Sequence, residues 1–114
     1  MIRDQETQTL LEEGVRRFVS EVLVPAENEV AETDEIPQQI RDQMKELGLF
    51  GLALPEEYGG LGLTMEEEAR IAMELGRTSP AFRSYIGTNN GIGSSGIVID
   101  GTPEQKEKYL PRLA

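Results

Sequence analysis

Apolar residues recur along most of this chain at steps of three and four, which is the spacing of amphipathic helices. The first such stretch runs from Asp4 to about Glu32 and predicts one long helix. Pro25 lies inside it, and an internal proline removes one backbone donor and clashes with the carbonyl four residues earlier. We therefore predict a kink or break between Val22 and Pro25. The apolar stripe comprises Leu10, Leu11, Val15, Phe18, Val19, Val22, Leu23, Ala26 and Val30.

The pattern predicts a second helix that begins at Pro37 and ends at Gly48. The next residues, 49–63, begin with an apolar run that is consistent with a short buried strand or extended segment. Pro55 and the glycines at 59, 60 and 62 forbid regular structure beyond that run, so we predict an ordered loop. The buried side of the second helix is expected to hold Ile40, Met44 and Leu47.

A capping box predicts the start of a third helix, which extends to about Arg77. Thr64 is followed three residues later by Glu67, and such a pair bonds reciprocally to the first free amides of a helix. The acidic run 66–68 is interpreted as first-turn acids that the helix dipole favours, in preference to a metal or acid–base site. The predicted buried face comprises Ala69, Ala72, Met73 and Leu75 or Gly76.

The predicted fourth helix runs from Pro80 to Asp100 and is rich in glycine. Its GIGSSG sequence, residues 91–96, fits the G-x-G-x-x-G pattern of dinucleotide-binding loops, but too little chain follows for the required βαβ unit. Small residues instead fall on one face of the helix, so a neighbouring helix or a ligand can approach its backbone closely, and the spacing leaves both alternatives open. These small residues are Gly87, Gly91 and Ser94 or Ser95.

Gly101 is expected to end the fourth helix, and a second capping box, Thr102 with Gln105, begins a last short helix that extends through Leu110. The elements together predict an all-α fold. Its architecture is an up-down bundle of about four main helices plus a short C-terminal helix. At 114 residues the chain is long enough for one core, so we predict a single domain over residues 1–114.

Charge and composition exclude several classes of function. The chain has 11 basic and 21 acidic residues, for a formal net charge of -10, which makes nucleic acid and anionic membranes poor partners. It has no Cys and no His, so thiolate nucleophiles, imidazole bases and the usual zinc ligands are absent. No stretch resembles a signal peptide or an apolar membrane span, which points to a cytoplasmic protein.

Three motifs occur in an order that is familiar from one enzyme family. They are MKELGLFGLALPEEYGGLGLT at residues 44–64, ARIAMELGRTSPAF at residues 69–82 and GTPEQKEKYLPRLA at residues 101–114. Together they resemble the N-terminal α-helical domain of the acyl-CoA dehydrogenases, and the resemblance covers nearly the whole chain. The first helix, with FVSEVLVPAENEV and its internal proline, is similar to the opening helix of that family.

The resemblance implies an FAD-dependent enzyme that removes an α proton with a carboxylate and a β hydride with the flavin from an acyl-CoA thioester. In the family a β-barrel domain and a C-terminal helical bundle follow, and they supply most FAD contacts and the catalytic base. The sequence ends about where that β domain would begin. The 114 residues alone are therefore expected to be inactive and without FAD, with no catalytic base, no metal ligand and no assigned cofactor-binding residue.

The resemblance also implies an electron acceptor of the electron-transfer flavoprotein type, packing against the missing β and C-terminal domains, and a homo-oligomer. Two alternatives remain open. A flavin oxidase or monooxygenase would share the fold with different chemistry, and a stand-alone helical interaction module would be a different class of protein.

The resemblance places the wall of an acyl-chain pocket on the fourth helix. The matching positions are Ser84, Thr88 and Ile92, and the i, i+4, i+8 spacing puts them on one helix face. The alternative is that they pack against the later helical bundle. Arg83 falls where the branch that acts on glutaryl-CoA has an arginine for the distal carboxylate, and the alternative is that it is a surface pairing group, the commoner role of an arginine on a helix. Tyr85, Gly87 and Gly91 lie nearby.

Overall fold

The structure, a computed structural model, describes residues 4–114, and within this range every regular element is helical. The α-helices are α1 (Gln5–Phe18), α2 (Val24–Thr33), α3 (Gln38–Glu46), α4 (Met65–Leu75), α5 (Pro80–Asn90), α6 (Ser95–Asp100) and α7 (Pro103–Leu113). The all-α prediction is confirmed. There are more segments than the predicted four main helices and one short helix, because the first and the fourth predicted helices are each interrupted.

The interruption between α1 and α2 is a π-helical turn, Val19–Leu23. The amide of Val24 donates to the carbonyl of Val19, five residues earlier, so the chain stays helical through the turn. Pro25 has no amide hydrogen to donate, and a wider turn just before it accommodates the missing bond. The predicted irregularity before Pro25 is confirmed, and its form is a π turn.

The core forms where α1 packs against α4, with α3, the loop after it and α5 closing the remaining sides. At the edge of the α1–α4 contact, the guanidinium of Arg16 lies 2.7 Å from the carboxylate of Glu74, and this hydrogen bond lowers the pKa of Glu74. The core residues are Val15, Phe18, Val19, Leu23, Val30, Ile40, Met44, Leu49, Leu52, Leu63, Ile71, Leu75, Phe82 and Ile86.

The predicted buried face of α4 is wrong except for Leu75. Ile71 and Leu75 are buried, whereas Met73 is 75% exposed. The predicted residues Ala69, Ala72 and Gly76 are exposed as well. Helix α1 packs on the side of α4 that carries the two branched side chains, since burying these removes more apolar area from water than burying alanines. The capping box of Thr64 and Glu67 is confirmed at the start of this helix.

Residues 49–63 form the predicted ordered loop, built from the 3₁₀ turns Leu49–Gly51 and Glu56–Tyr58. Three backbone bonds tie its two halves together: the amides of Leu61, Gly62 and Leu63 donate to the carbonyls of Gly51, Leu54 and Leu52 at 2.8 to 2.9 Å. The apolar run that began this loop in the sequence is therefore buried without forming a strand.

The predicted single helix from Pro80 to Asp100 is wrong, because residues 91–94 form a turn that separates α5 from α6. The carbonyl of Asn90 accepts from the hydroxyls of Ser94 at 3.0 Å and Ser95 at 3.4 Å, and the amide of Ser94 donates to Gly91 instead. Gly91 adopts φ -98° and ψ -92°, outside the helical region. Side-chain bonds to the backbone thus replace the helical ones at this point. Helix α7 begins with the predicted capping box and extends to Leu113.

Two glycine substitutions should distinguish the effect of close packing from the effect of helix propensity on the free energy of unfolding. A Cβ at Gly60 would clash with the carbonyl oxygen of Leu54, so Gly60→Ala should lower the free energy of unfolding by about 1 to 3 kcal/mol. A Cβ at Gly14, inside α1, meets nothing within 4 Å, so Gly14→Ala should raise it by about 0.5 to 1 kcal/mol. Urea unfolding followed by circular dichroism measures both. Equal effects of the two changes would contradict the packing of the loop described above.

Candidate functional site

Helix α5 carries Arg83, Ser84 and Thr88, and the residues just before it bond to Glu27 in the first turn of α2. The carboxylate of Glu27, in α2, accepts from the hydroxyl of Thr78 at 2.8 Å and from the amide of Ser79 at 3.0 Å. The side chain of Ser79 also caps α5, and Pro80 occupies its first turn. These bonds connect the start of α5 directly to α2, in addition to the contacts in the core.

The outer side of α5, which carries Ser84 and Thr88, is exposed. Ser84 and Thr88 lie one turn apart there and are exposed, with the Thr88 hydroxyl donating to the carbonyl of Ser84 at 2.8 Å. Ile92 is not on the same helix face, because it lies in the turn that follows α5, where it is 92% exposed. The structure thus brings Ser84 and Thr88 together as predicted and places Ile92 beyond the helix end.

Arg83 is exposed at the edge of this outer side and makes no ion pair with any residue in the range 4–114. Its guanidinium lies alongside Gly87, 4.0 Å from the point that a Cβ at this position would occupy. The side chain is therefore available to a partner that is not among the described residues.

A cleft of about 420 Å³ opens on another side of α5, between this helix, the end of α3 and the end of α7. Tyr85 and Phe50 form one wall, with their rings edge to face at 5.5 Å, and the guanidinium of Arg41 lies 5.9 Å from the Tyr85 ring centre. The remaining lining residues are Lys45, Asn89, Arg112, Leu113 and Ala114. Sequence reasoning missed this cleft, because its residues come from three separate segments.

Two adjacent asparagines hold the end of α5 to the segments around it. The amide of Asn89 donates to the carbonyls of Phe50 at 2.7 Å and Leu113 at 2.8 Å. Asn90 is only 3% exposed, and its amide donates to the carbonyls of Leu49 at 2.7 Å and Ile86 at 3.1 Å. Its side-chain oxygen accepts from the amide of Ala53 at 3.3 Å. Two consecutive asparagines inside a predicted helix were the signal in the sequence, since asparagine favours bonds to backbone outside helices.

The described residues contain no complete cradle for a dinucleotide cofactor. Residues 91–96 lie in the turn and the start of α6, a helix of 6 residues, and no strand precedes them in the range 4–114. Within the same range no carboxylate is buried, and no group of acidic residues could hold a metal ion. None of the helices described is long and apolar enough to cross a membrane.

The sequence of this all-helical domain matches a known protein family. The family model described as "Acyl-CoA dehydrogenase, N-terminal domain" matches residues 5–114. The chain therefore belongs to the acyl-CoA dehydrogenase family, as its N-terminal domain.

Individual relatives agree with this assignment. The very long-chain specific acyl-CoA dehydrogenase of Rattus norvegicus is 40% identical over 100% of the chain, which spans 17% of that protein. An acyl-CoA dehydrogenase of Bacillus subtilis is 33% identical over 96% of the chain, which spans 29% of it. The crystal structure of an acyl-CoA dehydrogenase from Bacillus anthracis complexed with FAD superposes with a TM-score of 0.84 at 34% identity, covering 98% of this chain and 19% of that one.

The asparagine pair should contribute strongly to stability. Asn90→Ala removes three hydrogen bonds and leaves the carbonyl of Leu49 without the amide of Asn90, so the free energy of unfolding should fall by about 1 to 3 kcal/mol. Thr88→Ala, two residues earlier on the exposed side, should change it by less than about 0.5 kcal/mol. Thermal or urea unfolding measures both. A loss from Asn90→Ala no larger than that from Thr88→Ala would show that this hydrogen-bond network does not hold the loop.

Proposed function

We propose that these 114 residues are part of a longer FAD-dependent acyl-CoA dehydrogenase, which introduces an α,β double bond into an acyl-CoA thioester. The observation that carries this proposal is the match of the family model to residues 5–114, with sequence similarity to acyl-CoA dehydrogenases along the whole chain. The relatives are several times longer than this chain, so the activity belongs to the complete polypeptide and the segment contributes a part of its binding surface.

The contribution proposed for the segment is a wall of the acyl-chain pocket, formed by the outer side of α5. Ser84, Thr88 and Ile92 are all exposed and hence available to a ligand that lies between this domain and the next. The small side chains of Ser84 and Thr88 leave room beside the helix. Ile92 lies in the turn after α5, so it would contact the acyl chain of the substrate from a different direction than Ser84 and Thr88 do.

The remaining parts of the proposal concern groups outside these 114 residues. The flavin is assigned to the longer polypeptide, since an acidic domain with a net charge of -10 is a poor environment for the phosphates of FAD or CoA. The catalytic base is assigned there from the family. An acceptor of the electron-transfer flavoprotein type and a homo-oligomer are proposed from the family. A cytoplasmic location stays a prediction, and the Rattus norvegicus relative is a mitochondrial protein.

The complete polypeptide, loaded with FAD, should oxidise acyl-CoA substrates with an artificial electron acceptor, and Thr88→Trp should change the chain lengths that it accepts. A bulky ring on the outer side of α5 would fill the pocket. The value of kcat/KM for palmitoyl-CoA should therefore fall at least about tenfold more than that for butyryl-CoA. Steady-state kinetics with both substrates measure the difference.

The matched control is Gln39→Trp, which places the same ring on the exposed side of α3 and should leave both substrates unaffected. Equal losses for both chain lengths in Thr88→Trp would contradict the pocket assignment. Peroxide formation in proportion to substrate consumed, without reduction of the acceptor, would instead favour the flavin oxidase. A complete polypeptide that ends near Ala114 would favour the stand-alone helical module.

Arg83 is proposed as a binding group for a distal carboxylate on the substrate, because it is exposed beside Ser84 and makes no ion pair within residues 4–114. Arg83→Ala should then reduce kcat/KM for glutaryl-CoA by about 10- to 100-fold and leave butyryl-CoA nearly unchanged. Arg17→Ala removes another exposed arginine, in α1, and serves as the control for charge. Equal losses on both substrates would show that Arg83 has no role in recognising the carboxylate.

A further inference from the structure

Asn90 is followed by Gly91, and an asparagine before a glycine is the one whose side chain loses ammonia most readily. The reaction needs the backbone nitrogen of the next residue to reach the side-chain carbon of the asparagine, and glycine has no Cβ to obstruct that approach. The other two asparagines of the chain, Asn28 and Asn89, precede Glu29 and Asn90, whose side chains obstruct it. Asn90 is therefore the only asparagine of these 114 residues with a reactive neighbour.

In the folded structure both reacting groups of this dipeptide are held by other partners. The amide of Gly91 donates to the carbonyl of Gly87 at 2.9 Å. The side chain of Asn90 is 3% exposed and bonds to Leu49 and Ala53 in the loop after α3. Attack of the Gly91 nitrogen on the Asn90 side chain requires these bonds to break and water to enter, so the reaction proceeds from a locally opened form.

Opening of this region separates the three segments that Asn89 and Asn90 join, which we call the asparagine junction. They are the end of α5, the loop of residues 49–63 and the end of α7. Asn89 donates to the carbonyls of Phe50 at 2.7 Å and Leu113 at 2.8 Å, so it closes the same junction although it takes no part in the reaction. The population of the opened form therefore depends on the bonds of both asparagines.

We propose that Asn90 is a site of spontaneous deamidation, that the asparagine junction controls its rate, and that the product prevents the junction from closing again. In the opened form a base removes the amide proton of Gly91, and the nitrogen attacks Cγ of Asn90. The new N–Cγ bond closes a succinimide ring, and the Cγ–Nδ2 bond breaks as ammonia leaves with a proton. Water then opens the ring at one of its two carbonyls, which gives isoaspartate or aspartate. Water is the only co-reactant, and nothing is oxidised or reduced.

Neither product can restore the bonds of Asn90. The carboxylate of aspartate has no hydrogen to donate to the carbonyls of Leu49 and Ile86, which accept from the amide at 2.7 and 3.1 Å, so oxygen would face oxygen. A cavity of about 150 Å³ beside Asn90 has no charged residue in its lining, so it supplies no cation for the new charge. Isoaspartate adds a carbon to the main chain at the last residue of α5. The inference concerns the junction alone and holds whatever reaction the complete polypeptide catalyses.

The first test compares the complete polypeptide in its folded form with the same polypeptide unfolded in guanidinium chloride. Mass spectrometry of the tryptic peptide 84–106 follows the loss of ammonia at Asn90, and isomerisation at Asp100, which also precedes a glycine, leaves the mass unchanged. The folded form should react at least about tenfold more slowly than the unfolded form. In the unfolded form Gly91→Ala should slow the reaction at least about tenfold, because its Cβ obstructs the attack. Equal rates in the two forms would overturn control by the fold, and an intact Asn90 in the unfolded form would overturn the site itself.

Asn89→Ala tests the junction without changing the reactive dipeptide. It removes the bonds to Phe50 and Leu113, so the folded polypeptide should lose ammonia at Asn90 severalfold faster, with an unchanged rate in the unfolded form. The matched control is Asn28→Ala, at an exposed position of α2, which should change neither rate. An unchanged rate in folded Asn89→Ala, or the same acceleration in the control, would overturn control by the junction.

Peptide-resolved hydrogen exchange shows where the polypeptide opens. In Asn90→Asp, made directly, the loop of residues 49–63 should exchange at least about tenfold faster than in the parent polypeptide. Unchanged exchange of the loop would overturn the claim that the product keeps the junction open. In Asn89→Ala the loop should exchange faster while α1 stays protected. Loss of protection throughout α1 would assign the faster deamidation to global unfolding and overturn the local control.

Discussion

The point at which α5 ends depends on two adjacent asparagines whose side chains bind the backbone of other segments. Asn89 connects the helix to the carbonyls of Phe50 and Leu113, and Asn90 connects it to Leu49 and Ala53. These bonds hold the loop after α3 and the end of α7 against one place on α5. A buried side-chain amide is stable only when its hydrogen bonds are made. Moving any one of the three segments would break such a bond, so the three segments hold one another in place.

The consequence for the candidate site is a helix with two very different sides. Phe82, Ile86 and Asn90 are buried on the inner side, while Arg83, Ser84 and Thr88 are exposed on the outer side. The inner side is held by packing and by hydrogen bonds, and these contacts support the exposed outer side. The acyl-pocket wall proposed for the outer side would need such a support, because a yielding wall would not discriminate between chain lengths.

Sequence reasoning located the helices well where the signal was local. Both capping boxes, at Thr64 and Thr102, were identified from four consecutive residues. Pro25 indicated an irregular turn, because a proline inside a helix always lacks the amide hydrogen that the helix requires. The candidate site was predicted only in part. Ser84 and Thr88 share an exposed side as their spacing indicated, whereas Ile92 lies past a break that depends on hydroxyl and amide bonds around Asn90.

The sequence by itself determined the helical class, the starts of α1, α3, α4, α5 and α7, the ordered loop and the acidic surface, since each follows from neighbouring residues or from a sum over the chain. The tertiary structure decided which side of α4 is buried, where α5 ends and which residues line the cleft beside Tyr85. Alanine, methionine and leucine give the same periodic signal on both sides of α4, and only contact with α1 distinguishes the sides. Bonds such as that between Asn89 and Leu113 join residues far apart in the chain, and no local pattern specifies them.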